Sequence, residues 1–209
     1  MPSIDHFFVF AQSGAPEREA LSAAGLRGGA EREHTGQGTR SVGFELADCF
    51  LELIWLADAE AARTPMVKPL GLYERMAWRD HRASPFGVCL RPDDAGDAPP
   101  FLSWDYRPDY LPPEVDLQMA CNSGVVGEPL LFQLDRSLAP PATAPGRGER
   151  RLRRVTITTP ALAPMSPLRE VDVDRLALRD GEEHLMEVEL MGAGHALDLR
   201  PALPLILHA

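Results

Sequence analysis

The sequence has few cysteines and no excess of positive charge, and both shortages exclude classes of protein. Its 209 residues include 3 cysteines, Cys49, Cys89 and Cys121, which are widely spaced in apolar surroundings. This spacing fits neither a disulfide framework nor a zinc site, so we interpret them as buried free thiols of a cytoplasmic protein. With 21 basic and 31 acidic side chains the net charge is −10, which argues against a nucleic-acid partner.

Long apolar runs are also missing. No run reaches the roughly 18 apolar residues of a membrane-spanning helix, so we predict neither such a helix nor a membrane partner. The first residues carry Asp5 and His6 and no basic region, which is unlike a secretory signal. The length allows one large domain or two small modules that share a core.

The most informative stretch is residues 34–58, which predicts a glycine-rich loop and two strands joined by a short turn. In the first strand Val42, Phe44 and Leu46 alternate with more polar residues, as in a half-buried strand. In the second strand Glu52 lies between apolar neighbours on both faces. A buried carboxylate without a partner is costly, so we expect Glu52 to be paired.

A second polar residue occupies a similar position in the predicted first strand, residues 3–12. His6, Phe8 and Phe10 fall on one face of this strand. A helix over residues 16–24 and a weaker strand over residues 26–34 follow. The first sixty residues therefore predict the order β-α-β-β-β, with His6 and Glu52 as ligand-capable groups on apolar strands.

His34 and the loop Gly36-Gln37-Gly38 allow two interpretations. The loop could direct backbone N–H groups toward an anion, but no helix follows it, as a phosphate loop would require. A tight turn that needs glycine dihedral angles is the better account. We place His34 at the edge of the expected pocket.

The middle of the chain predicts a helix over residues 70–79 and strands over residues 85–91 and 125–135. Between these strands, residues 92–114 are rich in proline and aspartate, and they carry aromatic side chains: Phe101, Trp104, Tyr106 and Tyr110. Such a loop either covers a pocket or seals one end of the core. Of these aromatic residues, Trp104 is our candidate for ligand contact.

Composition divides the chain into three parts. We expect a first module with its connecting helix and aromatic loop at residues 1–136, a Pro/Ala/Gly-rich linker at residues 137–152, and a strand-rich module that packs on the first at residues 153–209. Turns at Asp180-Gly181 and at residues 192–194 predict hairpins in the last part. We interpret the basic run at residues 147–154 as a solvated face or a set of salt-bridge partners.

A weak internal repeat connects the two ends of the chain. The segment FELADCFLEL at residues 44–53 is echoed by VELMGAGHALDL at residues 188–199, which aligns Asp198 with Glu52. On this alignment Thr156 or Thr158 takes the place of His6.

These features resemble the vicinal oxygen chelate superfamily, in its glyoxalase-like branch. The resemblance rests on Asp5-His6 in the first strand and on the stretch HTGQGTR…FLELIW, and it is good over residues 4–58. It implies an α+β fold in which two βαβββ-type modules form a cup-shaped mixed sheet with helices on the outer face. The second module is expected to be degenerate, because residues 155–159 contain no histidine.

The resemblance also implies a site. His6 and Glu52 would hold a divalent metal (Zn, Mn, Fe, Ni or Mg), or the cup would work without one. Glu52, Asp198 and Glu187 are the candidate catalytic acids and bases, and the pocket would be lined by Phe8, Thr156, Thr158, Trp104 and His34.

Two functions follow from this site. The first is a metal-dependent lyase, isomerase or dioxygenase acting on a small oxygenated metabolite. The second is a metal-free protein that binds a small molecule in the cup. Whether the cup forms within one chain or across a homodimer stays open.

Overall fold

The structure is a computed structural model that describes residues 1–94, 96–135, 148–160, 162–164, 166–192 and 194–209. Within these residues, thirteen strands form two mixed sheets and the helices are short. The expected α+β class is therefore confirmed. None of the helices in the described ranges is long and apolar enough to cross a bilayer.

The larger sheet has eight strands in the order β2-β3-β4-β1-β5-β8-β7-β6. Its strands are β1 (Ser3–Phe10), β2 (Arg27–His34), β3 (Thr39–Glu45), β4 (Phe50–Leu56), β5 (Phe86–Arg91), β6 (Ser103–Tyr106), β7 (Leu117–Ala120) and β8 (Leu130–Gln133). At its centre β1 and β5 run antiparallel to each other.

This sheet consists of two units with the same strand arrangement. In the first unit β1 pairs in parallel with β4, and β3 and β2 follow outward. In the second unit β5 pairs in parallel with β8, and β7 and β6 follow. The second unit thus lies within residues 86–133, so its predicted position at residues 153–209 was wrong. This second unit lacks the helix of a βαβββ module, because no helix joins β5 to β6 in the described residues between them.

The smaller sheet has five strands in the order β10-β9-β11-β13-β12. Its strands are β9 (Leu152–Thr159), β10 (Leu176–Asp180), β11 (Leu185–Leu190), β12 (Ala196–Asp198) and β13 (Leu205–His208). Its apolar face covers one face of the larger sheet, where Phe7 and Val9 join Val155, Ile157 and Val188 in one buried cluster. The residues after 148 therefore form a covering layer for the first sheet.

The strand order of the smaller sheet contradicts both predicted hairpins. β9 lies between β10 and β11, and β13 lies between β11 and β12. β11 and β13 are parallel, while β12 pairs with β13. The turns at Asp180-Gly181 and at residues 192–194 therefore do not join paired strands; Ala193 itself lies outside the described residues. The internal repeat, which assumed a hairpin here, has no counterpart in the fold.

Alternation along β1 gives its two faces different surroundings. Phe7 and Val9 pack against the smaller sheet, whereas Phe8 and Phe10 belong to a second buried cluster on the opposite face. His6 shares that opposite face, which we call the cavity side.

Both α-helices are shorter than predicted. α1 (Arg18–Ala23) buries Leu21 in the cluster that includes the smaller sheet. α2 (Leu72–Met76) follows a 3-10 turn at Lys68–Leu70, and Leu72 lines the cavity side. The predicted strand over residues 125–135 forms only at Leu130–Gln133.

A buried arginine of α2 holds the segment that leads into β8. The Arg75 side chain is fully buried and donates to the backbone carbonyls of five residues: Leu70, Ser123, Val125, Val126 and Glu128. These bonds replace the regular secondary structure that residues 123–128 lack. Burial lowers the pKa of Arg75 to about 10, so it keeps its charge at neutral pH.

The predicted linker, residues 137–152, lies mostly outside the described residues. The described end of the linker, residues 148–152, contacts the first unit. There the backbone N–H of Ala47 donates to the carbonyl of Arg150 at 2.8 Å.

Candidate functional site

A cavity of about 410 Å³ lies on the cavity side of the larger sheet, between its two units. Its lining includes residues of β1, β4, β7 and β8, and also the loop and helix residues Leu70, Leu72, Tyr110 and Leu111. Residues of both units of one chain line the cavity. The polar residues of the wall come mainly from the first unit, while most of the second unit's contribution is apolar.

His6 is positioned by an irregularity in β1. The register between β1 and β5 shifts between Ile4 and His6, which leaves Asp5 as an extra residue in the ladder. Such a bulge redirects a side chain that regular alternation would send to the other face. Asp5 accordingly lines the cavity beside His6, and its Oδ1 lies 2.8 Å from His6 Nδ1.

Asp5 is itself held by Arg91 at the end of β5. Arg91 donates to Asp5 Oδ2 from Nε at 3.0 Å and from Nη2 at 2.6 Å. Burial alone raises the pKa of the Asp5 carboxyl, but the His6 hydrogen bond and the charges of His6 and Arg91 outweigh it, so the pKa is lowered. Ionised Asp5 accepts a hydrogen bond from Nδ1–H of His6, which leaves Nε2 available to the cavity.

Glu52 reaches the same place from β4. The parallel register sets Phe50 beside His6 and Glu52 beside Phe8. Glu52 Oε2 lies 3.8 Å from His6 Nε2, and the Phe50 ring stacks on the imidazole with centroids 4.5 Å apart. Glu52 thus faces His6 and forms an ion pair with it only when the imidazole is protonated, and both side chains are buried.

A second polar group surrounds His34. Gln37 Nε2 donates to Thr39 Oγ1 at 2.9 Å, and Thr39 Oγ1 lies 2.8 Å from His34 Nδ1. When the Thr39 hydroxyl is the donor in this bond, the neutral His34 ring carries its hydrogen on Nε2. Burial lowers the pKa of His34, and the charges of His6 and Arg32 add to this effect against the opposing charge of Glu52.

Two tyrosines close this polar end. The hydroxyls of Tyr106 and Tyr110 donate to Gln37 Oε1 at 3.2 and 3.4 Å. Burial raises the pKa of both tyrosines, so they remain protonated at neutral pH. The Tyr110 ring also contacts His34, with centroids 4.9 Å apart.

The facing wall is apolar. Its residues come from the second unit and from the segment before it: Leu70, Leu72, Leu117, Met119, Leu130, Phe132 and Leu134. Phe8 joins this wall because Gly87 on β5 leaves room for its ring; a Cβ on Gly87 would lie 2.0 Å from Phe8 Cζ.

The donor atoms do not form a complete metal site. Among the described residues, Asp5, His6 and Cys89 bring one potential ligand atom each within 4.8 Å of one another. However, Asp5 already bonds His6 and Arg91, and burial raises the pKa of Cys89 well above its ordinary value, whereas a metal binds the thiolate. On the cavity side, His6 Nε2 and Glu52 Oε2 lie 3.8 Å apart, and the apolar wall adds no carboxylate or imidazole to this pair.

Several predicted site residues lie outside this cavity. Asp198 is on β12 in the smaller sheet, where it is exposed and bonded to Arg200 at 2.6 Å. Glu187, Thr156 and Thr158 also belong to the smaller sheet and do not line the cavity. The repeat assigned Asp198, Thr156 and Thr158, and Glu187 was an alternative acid on a neighbouring strand. All four assignments assumed that this sheet forms the second half of the cup, so these positions are corrected.

Trp104 is also outside the cavity lining. Its Nε1 donates to Ser123 Oγ at 3.1 Å, which places the indole against the loop after β7. The structure does place His6, Phe8, His34 and Glu52 in one cavity wall, and their roles stay proposals.

Sequence reasoning did not assign roles to Asp5, Arg91 and Gln37. Regular alternation put Asp5 on the face opposite His6, because a bulge leaves no mark in an apolar-polar pattern. The adjacent pair Asp5-His6 was the available signal for Asp5. Where a bulge interrupts the alternation of a strand, a carboxylate next to a histidine in sequence can bond to the imidazole and orient it.

Comparison with known proteins adds information about the fold. No family model matches the chain, and no curated protein does. A solved structure described as a hypothetical protein from Staphylococcus aureus is similar, with a TM-score of 0.60, 11% identity, and coverage of 99% of this chain and 98% of that one. At this identity the likeness shows the fold alone.

A second similar structure is described as methylmalonyl-CoA epimerase. It has a TM-score of 0.37 and 13% identity, and the match covers 63% of this chain and 94% of that one. This similarity is too low to support an inference about activity. The two units of the larger sheet, which share one cavity, agree with the expected fold of two modules that form a cup.

Proposed function

We propose that the cavity binds a small, largely apolar organic molecule by its oxygen-bearing end, and that His6 moves a proton on this molecule. The observation that supports this best is the buried chain Arg91–Asp5–His6, which ends beside Glu52 at the polar end of an apolar cavity. The volume of about 410 Å³ falls within the usual range of small-molecule pockets.

His6 is the proposed base. Asp5 holds the proton on Nδ1, so the lone pair on Nε2 can accept a proton from a carbon next to a carbonyl group. Glu52, 3.8 Å from Nε2, would stabilise the imidazolium that results. Return of the proton to another atom of the same molecule would complete an isomerisation.

His34 is the proposed donor to the substrate oxygen. A neutral imidazole with hydrogen on Nε2 can donate to the negative charge that develops on the oxygen when the carbon loses its proton. Two histidines with different partners, a carboxylate for His6 and a hydroxyl for His34, would thus divide the base and donor roles.

Hydrogen exchange tests this proposal without knowledge of the natural substrate. The protein is incubated in D₂O containing a chelator and a panel of aryl and alkyl ketones and 2-oxo acids, and NMR follows the loss of the proton next to the carbonyl. We expect exchange of at least one class of compound, abolished in His6→Gln and reduced in Asp5→Asn. His81→Gln, at an exposed histidine, is the matched control.

Two outcomes would contradict the proposal. Exchange that survives in His6→Gln would exclude His6 as the base. A compound that raises the melting temperature in chelator without any exchange would favour the simpler function, a metal-free binding protein.

A metal-dependent activity is the second candidate, and it rests on the same His6–Glu52 pair. His6 Nε2 and Glu52 Oε2 would be its two protein donors, and a bound divalent ion would act as a Lewis acid. Metal analysis after expression in metal-supplemented medium, with His6→Ala alongside, separates the two candidates. Stoichiometric metal in the wild type that is lost in His6→Ala would favour the metal-dependent activity.

A further inference from the structure

A second depression, of about 700 Å³, lies on the surface where the two sheets meet. Its charged wall consists of four arginines and two aspartates: Arg91, Arg151, Arg153, Arg175, Asp48 and Asp174. We call it the arginine cleft. An excess of positive charge is notable in a protein whose net charge is −10.

Two of these arginines are fixed by carboxylates. Arg91 is held by Asp5 through Nε and Nη2, and Arg175 is held by Asp48 through Nη1, which also donates to the carbonyl of Leu152 at 3.3 Å. Arg175 adopts a φ of 68°, a left-handed conformation that is rare for residues other than glycine. Nη1 of Arg91 and Nη2 of Arg175 have no hydrogen-bond partner in the described part of the chain.

The other two arginines are exposed and largely uncompensated. Arg153 lies 3.8 Å from Glu189, a solvent-exposed contact of the kind that contributes little. Asp174, also exposed, lies nearest to Arg175 at 3.6 Å. Across the described residues no hydrogen bond or ion pair engages the Arg151 side chain. With Asp5, which neutralises Arg91, the four arginines face three aspartates and keep a formal charge of 4 − 3 = +1.

We propose that the arginine cleft binds the phosphate group of a small phosphomonoester. A phosphomonoester carries about −1.5 to −2 charges at neutral pH, opposite in sign to the net charge of the wall. Planar guanidinium groups bind phosphate oxygens through paired N–H donors. The cleft is much larger than a phosphate ion and leaves room for the organic part. This site is separate from the cavity and does not depend on the proton-transfer proposal.

Calorimetric titration of the full chain with a hexose 6-phosphate tests this proposal, with the parent hexose as control. We expect saturable binding of the phosphomonoester, weakened about 10-fold or more in Arg151→Gln/Arg153→Gln, because each lost charge-assisted bond contributes to affinity. Arg18→Gln/Arg40→Gln changes two exposed, glutamate-paired arginines elsewhere and should leave binding unchanged.

Three results would overturn the proposal. One is the absence of saturable binding. Another is equal binding by the cleft variant and the wild type. The third is an equal, saturable heat signal when sodium chloride is titrated to the same ionic strength, which would show general screening of charge instead of a site.

Discussion

Gly87→Ala gives the sharpest test of how the cavity wall is built. Gly87 lies beside Phe8 across the β1–β5 ladder, and an added Cβ would lie 2.0 Å from Cζ and 2.5 and 2.6 Å from the Cε atoms of that ring. An ordinary contact begins at 3.4 Å, so the ring must move by about 3.4 − 2.0 = 1.4 Å. The sheet lies behind the ring, so the movement would be into the cavity.

The expected cost follows from crowding in a well-packed core. Overpacking of this kind destabilises a protein by about 1–3 kcal/mol. For a chain of this size, each kcal/mol lowers the melting temperature by about 2–4 °C. The displaced ring also reduces the cavity, so a ligand that stabilises the wild type should bind Gly87→Ala more weakly.

The assay is urea unfolding of four proteins: wild type, Gly87→Ala, Phe8→Leu and the double variant. Phe8→Leu removes the ring atoms that collide, so Gly87→Ala should cost roughly 0.5 kcal/mol or less in that background. Gly29→Ala is the matched control, because its Cβ would meet only an ordinary 3.5 Å contact within a strand. Equal costs of Gly87→Ala in both backgrounds would refute the reasoning.

Three further predictions follow from the buried polar groups. Asp5→Asn should destabilise the protein by about 1.5–3 kcal/mol, since it removes charge-assisted bonds to His6 and Arg91; urea unfolding measures this, and a loss no larger than in exposed Asp80→Asn would contradict it. Arg75→Met should lower the free energy of unfolding by about 3–5 kcal/mol, because five carbonyls lose their donor and Glu128 loses a neighbouring charge. Arg82→Met, at an exposed arginine, is the control in the same unfolding assay, and equal losses of stability in the two variants would disprove the role of Arg75. Folding lowers the pKa of His34 and so favours its neutral form. The stability that His34 contributes is therefore complete above the ordinary pKa of 6.5 and is lost as pH falls toward the folded value. The free energy of unfolding at about pH 7, 6 and 5 should decline in that order, and less steeply in His34→Gln, whereas parallel declines in the two proteins would contradict this.

The part of the site that the sequence predicts is the part that follows from regular alternation. His6 and Phe8 share one face of β1. The alternation along β4 places Glu52 on the same side of the sheet, so a period of two predicts three cavity residues. Asp5 does not follow, because the bulge that turns it toward His6 depends on the pairing of β1 with β5.

The second half of the cup was missed for a different reason. Gly87, Leu130 and Phe132 carry no polar group that would identify a site, and the strands β6 to β8 are only four residues long. Asp198 was predicted as a site residue because leucines flank it as they flank Glu52. Its strand, β12, however pairs with β13 in the smaller sheet, away from the cavity. Local patterns report the face of a strand, whereas the neighbours of that strand depend on contacts far away in sequence.

The location of both cavity walls in one polypeptide has a consequence for how the protein can change. In a symmetric dimer with a cavity on the twofold axis, every substitution appears on both walls at once. Here residues 3–56 and 86–133 provide the two walls separately. The polar residues on one side can therefore be kept while the opposite side diversifies to accept molecules of another shape.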